Sequence, residues 1–502
     1  MSSKAKKLVR GSALGMFEFF ATALVTLAMT PFIIHSLGDT MYGLWIFVGS
    51  FLGYYGLMDF GINSAIQRFL SRALSLNDTK DANKVLNTAL AIFTIIGFVT
   101  LFFSFIIAFA VPLLIKNITE VSLFRKIVLI LGLNFAIGFP LRVFSGILTA
   151  NIRYDLSTAI ELIKLALRTI FIIVLLKAGQ GIMALAFITL VTDISGYIAK
   201  YFVVRHLYGY IVFSRKLIDK SKIRPLFGYS IYTFISQIAD QLRYNVDKLV
   251  ITIFIGFGSV TLYSIASRLI RYYIDFIISA IGILTPIFSQ YEARNDYVAI
   301  REKFIFTTKI SSYLSIMIGG ILILFGRAFI QRWVGTKYLS AYPILLVLAI
   351  PVTFGSMQAP SVHVLYGISK HKLYAISNSI EGIANLILSL ILVRKYGLIG
   401  VALGTAIPMI IIKLFVQPVY TCRMMKLGIK EYYFKVLMPT ILNSCIVLIV
   451  LWVTVKNFIT ANYFNLAAFI LGFVVLFSVC IFFLGFNLLE RKYFKKAIII
   501  KI

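Results

Sequence analysis

Acidic residues are scarce in this chain. Asp and Glu number 19 against 49 Lys and Arg, a formal net charge of +30, although 60% of the 502 residues are hydrophobic. A soluble globular protein does not combine those two properties. Cysteine is scarcer still. Cys422, Cys445 and Cys480 are odd in number, lie in or beside apolar segments and form no CxxC pair. That excludes a disulfide framework and a cysteine metal site, and leaves them as small apolar packing residues. His35, His206, His363 and His371 are scattered without ligand spacing, so no metal or other cofactor is expected. Long polar stretches are missing too. The longest, about 204–224, is too short for a separate soluble domain. The basic start (Lys4, Lys6, Lys7, Arg10) leads into an apolar segment of full spanning length without a small-x-small cleavage site. It predicts a retained first helix rather than a cleaved signal peptide.

What is abundant is apolar sequence in blocks of about 20 residues, each enough to cross roughly 30 Å of hydrocarbon. The pattern predicts an all-α polytopic membrane protein of about fourteen helices. They run near 12–34, 41–63, 88–114, 126–148, 156–176, 181–203, 228–255, 260–288, 307–329, 342–366, 373–393, 398–420, 433–455 and 463–486. An even count puts both termini on one side. With the N-terminus in the cytoplasm, inside segments hold 31 basic residues and outside segments hold 10. That asymmetry is what the positive-inside rule demands. The +30 is therefore mainly a topology signal, with attraction to anionic lipid headgroups. It points to no nucleic-acid partner.

The chain also resembles itself at a shift of 220 residues. Gly38 matches Gly258, Pro140 matches Pro360, Tyr154 matches Tyr374 and Glu161 matches Glu381. After a two-residue gap, Gly179 matches Gly397 and Ala184 matches Ala402. The repeat predicts two parallel six-helix lobes around a central cavity, a transporter architecture. The expected divisions are an N-terminal lobe at 1–203, a cytoplasmic linker at 204–227, a C-terminal lobe at 228–423, and two further helices with a basic tail at 424–502. Pro31, Pro112, Pro140, Pro286, Pro351, Pro360 and Pro408 lie in or near spans and predict bends, one or two of them hinges.

Ionisable groups at membrane depth are costly unless paired or facing water, so they are the best functional clues. Three spans carry charges at i, i+3, i+7, one face of a helix. These are Glu161, Lys164 and Arg168 on the fifth; Asp240, Arg243 and Asp247, beside Lys248, on the seventh; and Arg268, Arg271 and Asp275 on the eighth. Single charges fall at Glu18, Asp59, Asp193, Lys309, Glu381 and Lys413. Internal pairing explains the fifth-helix trio as well as ligand binding does. On the seventh and eighth, polar groups cluster on one side and suit a water-filled cavity. Guanidinium groups there suit phosphate or pyrophosphate, because they make forked, charge-assisted hydrogen bonds to its oxygens. The candidate substrate-binding set is Arg243, Lys248, Arg268, Arg271, Lys164 and Arg168. The candidate coupling or pairing carboxylates are Asp59, Asp240, Asp247, Asp275, Glu161 and Glu381, with H+ or Na+ as the coupling ion.

The segment PFIIHSLGDTMYGLWIFVGSFLGYYGLMDFGINSAIQRFLSR (Pro31 to Arg72) resembles the N-terminal signature of Wzx-type oligosaccharide flippases. These form the polysaccharide-transport branch of the MATE-like superfamily. YGLIGVALGTAIP (Tyr396 to Pro408), followed by QPVYTCR (Gln417 to Arg423), is similar to that family's later signature. The resemblance implies a non-enzymatic transporter in the bacterial inner membrane. Its cargo would be a polyprenyl-pyrophosphate-linked oligosaccharide, such as an O-antigen or other surface-polysaccharide repeat unit, flipped to the outer leaflet by alternating access. It further implies a monomeric transport unit that associates with polymerase and chain-length machinery. Rival readings are a lipid II-type flippase, a MATE-like drug or cation exporter, and a membrane glycosyltransferase or polymerase. An exporter of cations favours carboxylates over arginines. A polymerase needs a sizeable outer loop, and none here clearly exceeds about 15 residues.

Overall fold

The computed structural model describes residues 3–110, 112, 118–227, 234, 237–238, 241, 245–282, 284–370, 372–455, 462–488 and 490–491. Among these residues the chain is helical, without strands. The helices are α1 (Ser3–Leu57), α2 (Ile62–Ser75), α3 (Thr79–Ala110), α4 (Ile118–Ala150), α5 (Tyr154–Lys177) and α6 (Gly181–Leu207). Then come α7 (Val246–Phe254), α8 (Phe257–Ile281), α9 (Leu284–Ala293), α10 (Tyr297–Trp333), α11 (Ala341–Met357) and α12 (Ala359–Gly367). Last are α13 (Lys372–Ile411), α14 (Gln417–Met424), α15 (Ile429–Tyr432), α16 (Met438–Val455) and α17 (Tyr463–Leu484). Two π-helical turns, Ile412–Val416 and Tyr433–Leu437, join α13 to α14 and α15 to α16. Nine helical stretches among the described residues are long and apolar enough to cross a membrane. Two of them, of 44 and 53 residues, far exceed one crossing.

The chain forms two compact units, Met1–Gln241 with Gly256–Thr261, and Leu242–Ile255 with Leu262–Ile502. In the first, α3 packs on α4, α4 on α6, and α1 and α6 on α5. Its core gathers Ile66, Leu70, Leu86, Phe93, Phe139 and Val143. In the second, α10 packs on α11 and α16, and α11 and α7 on α13. Its core is built on Phe288, Phe304, Phe325, Met357, Tyr432 and Phe473.

The non-helical breaks inside long helices fall at glycines, while the backbone runs on as helix through Pro31, Pro140, Pro351 and Pro408. The long α1 turns at Gly38 (φ 76°, ψ 168°) and α13 at Gly397 (φ 55°, ψ −132°). Side chains with a Cβ avoid such positive-φ backbone. This revises the repeat. Gly258, the expected partner of Gly38, lies inside α8, and the positive φ (117°) belongs to Gly256. Gly38 and Gly256 are then separated by the same interval as Gly179 (φ 77°) and Gly397, so both linker glycines recur in step.

The structure also departs from the predicted helix 41–63. It stops at Leu57, and Phe60 (φ 50°) and Gly61 (φ 72°) turn the chain through left-handed backbone. Asp59 therefore sits in a turn and not within a span; its Oδ1 accepts from the Asn63 amide at 3.1 Å. Helix α2 follows, with Ile62, Ala65, Ile66, Leu70 and Ala73 on one buried face and Arg68 and Arg72 exposed. That spacing is amphipathic, and polar residues on the far face hid the helix from a search for apolar runs.

The segment after α6 is pinned rather than loose. Asn83 and Asn87, one turn apart on α3, imitate a neighbouring strand. Asn83 donates to the Tyr210 carbonyl (2.8 Å) and accepts from the Val212 amide (2.9 Å). Asn87 donates to the Val212 carbonyl and accepts from the Ser214 amide, both at 2.8 Å. Lys84 pairs with Asp219 at 3.0 Å. Hydrogen bonds from Ser221 and then Lys84 hold the Asp219 carboxyl down at about 2. Asn83→Leu strands the partly buried Tyr210 carbonyl and Val212 amide, a cost of at most about 1–3 kcal/mol per group. Hydrogen exchange at Val212 and Ser214 is expected to quicken at least about tenfold; unchanged exchange would discard the ladder. Because the Asp219 value is depressed, its tie is complete above the ordinary 3.8 and fades as pH falls towards about 2. Pepsin cleavage of the linker should rise across that window in the native chain and stay level in Asp219→Asn.

Candidate functional site

In the first unit, the fifth-helix charges form a closed network. Glu161 pairs with Lys164 and, at 2.7 Å, with Lys200. Asp193 takes Arg168 at 2.7 Å, Lys164 at 3.3 Å and the Asn134 amide at 2.9 Å. The Thr192 hydroxyl accepts from Arg168 Nε at 3.0 Å, and the Ser145 hydroxyl from Lys200 at 3.2 Å. Lys200, near the end of α6, is only 5% exposed. These ties join α4, α5 and α6. Each cation has a carboxylate within reach, which satisfies buried charge without a ligand.

In the second unit, α7 and α8 carry the groups of interest. Asp240 and Arg243 lie outside the described residues. Asp247 and Lys248 are adjacent on α7, and the helical step of about 100° aims them differently. Asp247 is 4% exposed. Its Oδ2 accepts from the Tyr263 hydroxyl of α8 and, at 2.9 Å, from the Thr405 hydroxyl of α13. Its Oδ1 is buried without a hydrogen-bond partner among the described residues. Neutral oxygens continue from Thr405. Asn385 Oδ1 lies 3.3 Å from Thr405 Oγ1 and 2.9 Å from Ser389 Oγ, which is 3.3 Å from the Val401 carbonyl. One carboxylate among hydroxyl, amide and carbonyl oxygens suits a proton or a hard monovalent cation. It does not suit a transition metal, and no cluster of three or more His, Cys, Asp or Glu occurs among the described residues.

Lys248 bonds Asn245 Oδ1 at 3.1 Å, and the charges of Arg268 and Arg271 on α8 reach it. Arg271 pairs with Asp275, four residues on, at 3.0 Å. Its side chain is 57% exposed. The structure thus places Lys248 within electrostatic range of Arg268 and Arg271, with Asp247 beside Lys248 and Asp275 paired to Arg271. Glu381 stands apart from them. It faces Lys413 at 3.6 Å, and Lys413 also donates to Asn378 (2.9 Å) and Gln417 (3.0 Å) and lies over the Tyr374 ring. Gln417 continues to the Gln358 carbonyl, and Gln358 receives the Tyr432 hydroxyl at 2.8 Å. This buried chain fits a structural tie joining α13, α14 and α15 to the junction between α11 and α12 at Gln358. Tyr263, Asn385, Ser389 and Thr405 were not among the sequence candidates; only their alignment on the faces opposite Asp247 could have signalled them.

The fold matches solved structures of MATE-like transporters. It is similar to the lipid II flippase MurJ in an inward closed conformation, with TM-score 0.73 and 19% identity over 94% of this chain and 98% of that one. It is also similar to an inward-facing multidrug resistance MATE family transporter, with TM-score 0.69 and 15% identity over 84% and 98%. By sequence, a Shigella flexneri protein named "Putative O-antigen transporter" is 21% identical over 82% of this chain and 98% of its own length. A Haloferax volcanii protein named "Probable low-salt glycan biosynthesis flippase" is 28% identical over 37% and 39%. A family model described as polysaccharide biosynthesis protein matches residues 42–343. With more than half of its length matched, this membrane chain belongs to the polysaccharide biosynthesis protein family.

Proposed function

We propose that the protein flips a polyprenyl-pyrophosphate-linked oligosaccharide from the cytoplasmic to the outer leaflet by alternating access, driven by an ion gradient. The observation that carries this reading is the meeting of Lys248, Arg268 and Arg271 on two helices of one unit, with Asp247 buried beside them. Three cations against two carboxylates, Asp247 and Asp275, leave a net positive set, which favours an anionic headgroup over a cationic drug. The role is transport and not catalysis. The relatives named for O-antigen transport and glycan flipping support the same cargo class. Lys164 and Arg168 serve better as ties than as ligands, since Glu161 and Asp193 hold them. The protein sits in the bacterial inner membrane with both termini cytoplasmic, and works beside the polymerase and chain-length machinery.

The test is export of the lipid-linked glycan in cells that depend on this chain. Arg268→Gln and Arg271→Gln are each expected to lower export about tenfold at unchanged membrane level, the scale of one lost charge-assisted contact. Arg271→Lys should recover less than full export, because an ammonium cannot make the fork. Full export by both glutamine variants would remove the pyrophosphate role from α8.

A further inference from the structure

In the second unit, a cavity of about 600 Å³ lies between the end of α13, α14 to α16, and Phe354 of α11. Its size is that of a small-molecule site. Its wall is apolar, formed by residues such as Phe415, Phe434, Met438 and Leu442, with one charge, Lys430, at one end.

Three features mark it as built. Both π-helical turns of the chain's described residues line it, Ile412–Val416 on one side and Tyr433–Leu437 on the other. Such turns are rare and cluster at functional sites, because the extra residue swings following side chains off the regular face. The Tyr433 hydroxyl donates across the groove to the Leu414 carbonyl, inside the facing π turn. This ties the Tyr433 hydroxyl to the Leu414 carbonyl, so that neither is left to face a hydrocarbon occupant. Lys430, finally, is exposed and forms no ion pair among the described residues, whereas nearby Lys435 is held by Glu431 at 3.3 Å.

Length and charge then select the occupant. From Lys430 to Leu442 is twelve residues, roughly 18 Å of helix at 1.5 Å each. That is about half of a 30 Å hydrocarbon core, the reach of one leaflet. A basic group at the end of an apolar slot one leaflet deep complements a lipid with an anionic phosphate head and an acyl chain. We propose that this groove is a site for an anionic glycerophospholipid of the bilayer, its phosphate at Lys430 and one acyl chain along Phe434, Met438 and Leu442. A polyprenyl tail outruns such a slot. The site is separate from the cationic set on α7 and α8, and its occupant is a resident lipid rather than cargo.

The experiment reconstitutes the whole protein in phosphatidylcholine vesicles. They contain equal small fractions of either phosphatidylglycerol or phosphatidylcholine with a photoactivatable diazirine in the acyl chain. Adducts are mapped by mass spectrometry. Labelling of Phe434, Met438 and Leu442 is expected to be about fivefold stronger with the glycerol lipid, the preference one lysine at the surface supplies. Lys430→Gln should bring the two lipids to parity. Leu442→Trp, which fills the slot, should suppress labelling by both. Equal labelling of the native protein would overturn the proposal. So would displacement of the adducts by polyprenyl phosphate but not by unlabelled phosphatidylglycerol, which would assign the groove to the cargo's tail.

Discussion

Replacing Asp247 with Asn is expected to stop glycan export while leaving the protein in the membrane at its normal level. The carboxylate is deeply buried; Tyr263 and Thr405 donate to its Oδ2, Asn385 lies beside them, and the neighbouring Lys248 charge acts on it without forming an ion pair among the described residues. Burying a charge so sparsely neutralised is expensive. A proton on Oδ1, or a small cation shared with the oxygens of Asn385, Ser389 and Val401, relieves that cost. On the proposed coupling the cost would depend on the ion, and α7, α8 and α13 are the helices that would feel it. Asparagine keeps the shape and removes the charge. The fold is unharmed or slightly more stable, because a neutral group is easier to bury. Export should fall at least about a hundredfold, or ~2.8 kcal/mol at 1.4 per decade. Proteoliposomes with separately imposed proton and sodium gradients are the direct assay. The native protein should respond to one of them and Asp247→Asn to neither. Native transport indifferent to both gradients, or full export by the variant, would end the coupling role.

A loss of similar size, but through the fold, is expected of Gly404→Val. Gly400 and Gly404 make a GxxxG face on the second arm of α13, after the bend at Gly397. A Cβ on Gly400 would lie 2.2 Å from the Leu392 carbonyl oxygen of the first arm. One on Gly404 would lie 2.2 Å from Ser389 Oγ and 2.6 Å from its backbone nitrogen. Close backbone approach of this kind is what small residues permit inside membranes, where no hydrophobic force drives helices together. Valine must push the arms apart, and overpacking costs about 1–3 kcal/mol or more. Thr405 is the next residue, so the same displacement draws its hydroxyl away from Asp247. The variant should show a lower melting temperature in detergent and less protein in the membrane. Gly472→Ala is the control. Nothing lies within 4 Å of the added carbon, and helix propensity favours alanine by about 0.5–1 kcal/mol. A native melting temperature for Gly404→Val would show that the arms have room.

Several elements were legible before the fold was known, for local reasons. Apolar runs of spanning length mark helices whatever they pack against, and the repeat of Gly179 in Gly397 marks backbone that only glycine adopts easily. The trio Glu161, Lys164 and Arg168 could be placed on one face from spacing alone. Other elements were illegible for an equally physical reason. Helix α2 has the polarity of a loop along its chain and of a core helix only on one face. Asn83 and Asn87 are ordinary helical residues until the backbone of 210–214 arrives beside them.

The candidate site divides along the same line. Residue type and spacing marked Asp247, Lys248, Arg268 and Arg271 as charges too costly to be idle in a membrane. They also marked Lys164 and Arg168, with equal force. The difference between the two sets lies in neighbours more than a hundred residues distant or on another helix. Asp193 and Lys200 complete the charges of α5, whereas Thr405 and Asn385 give Asp247 hydroxyl and amide neighbours but no ion pair among the described residues. Periodicity specifies which face of a helix a side chain occupies. Which helix meets that face is a property of long-range packing, and on it depends whether a buried charge becomes a structural tie or an ion site.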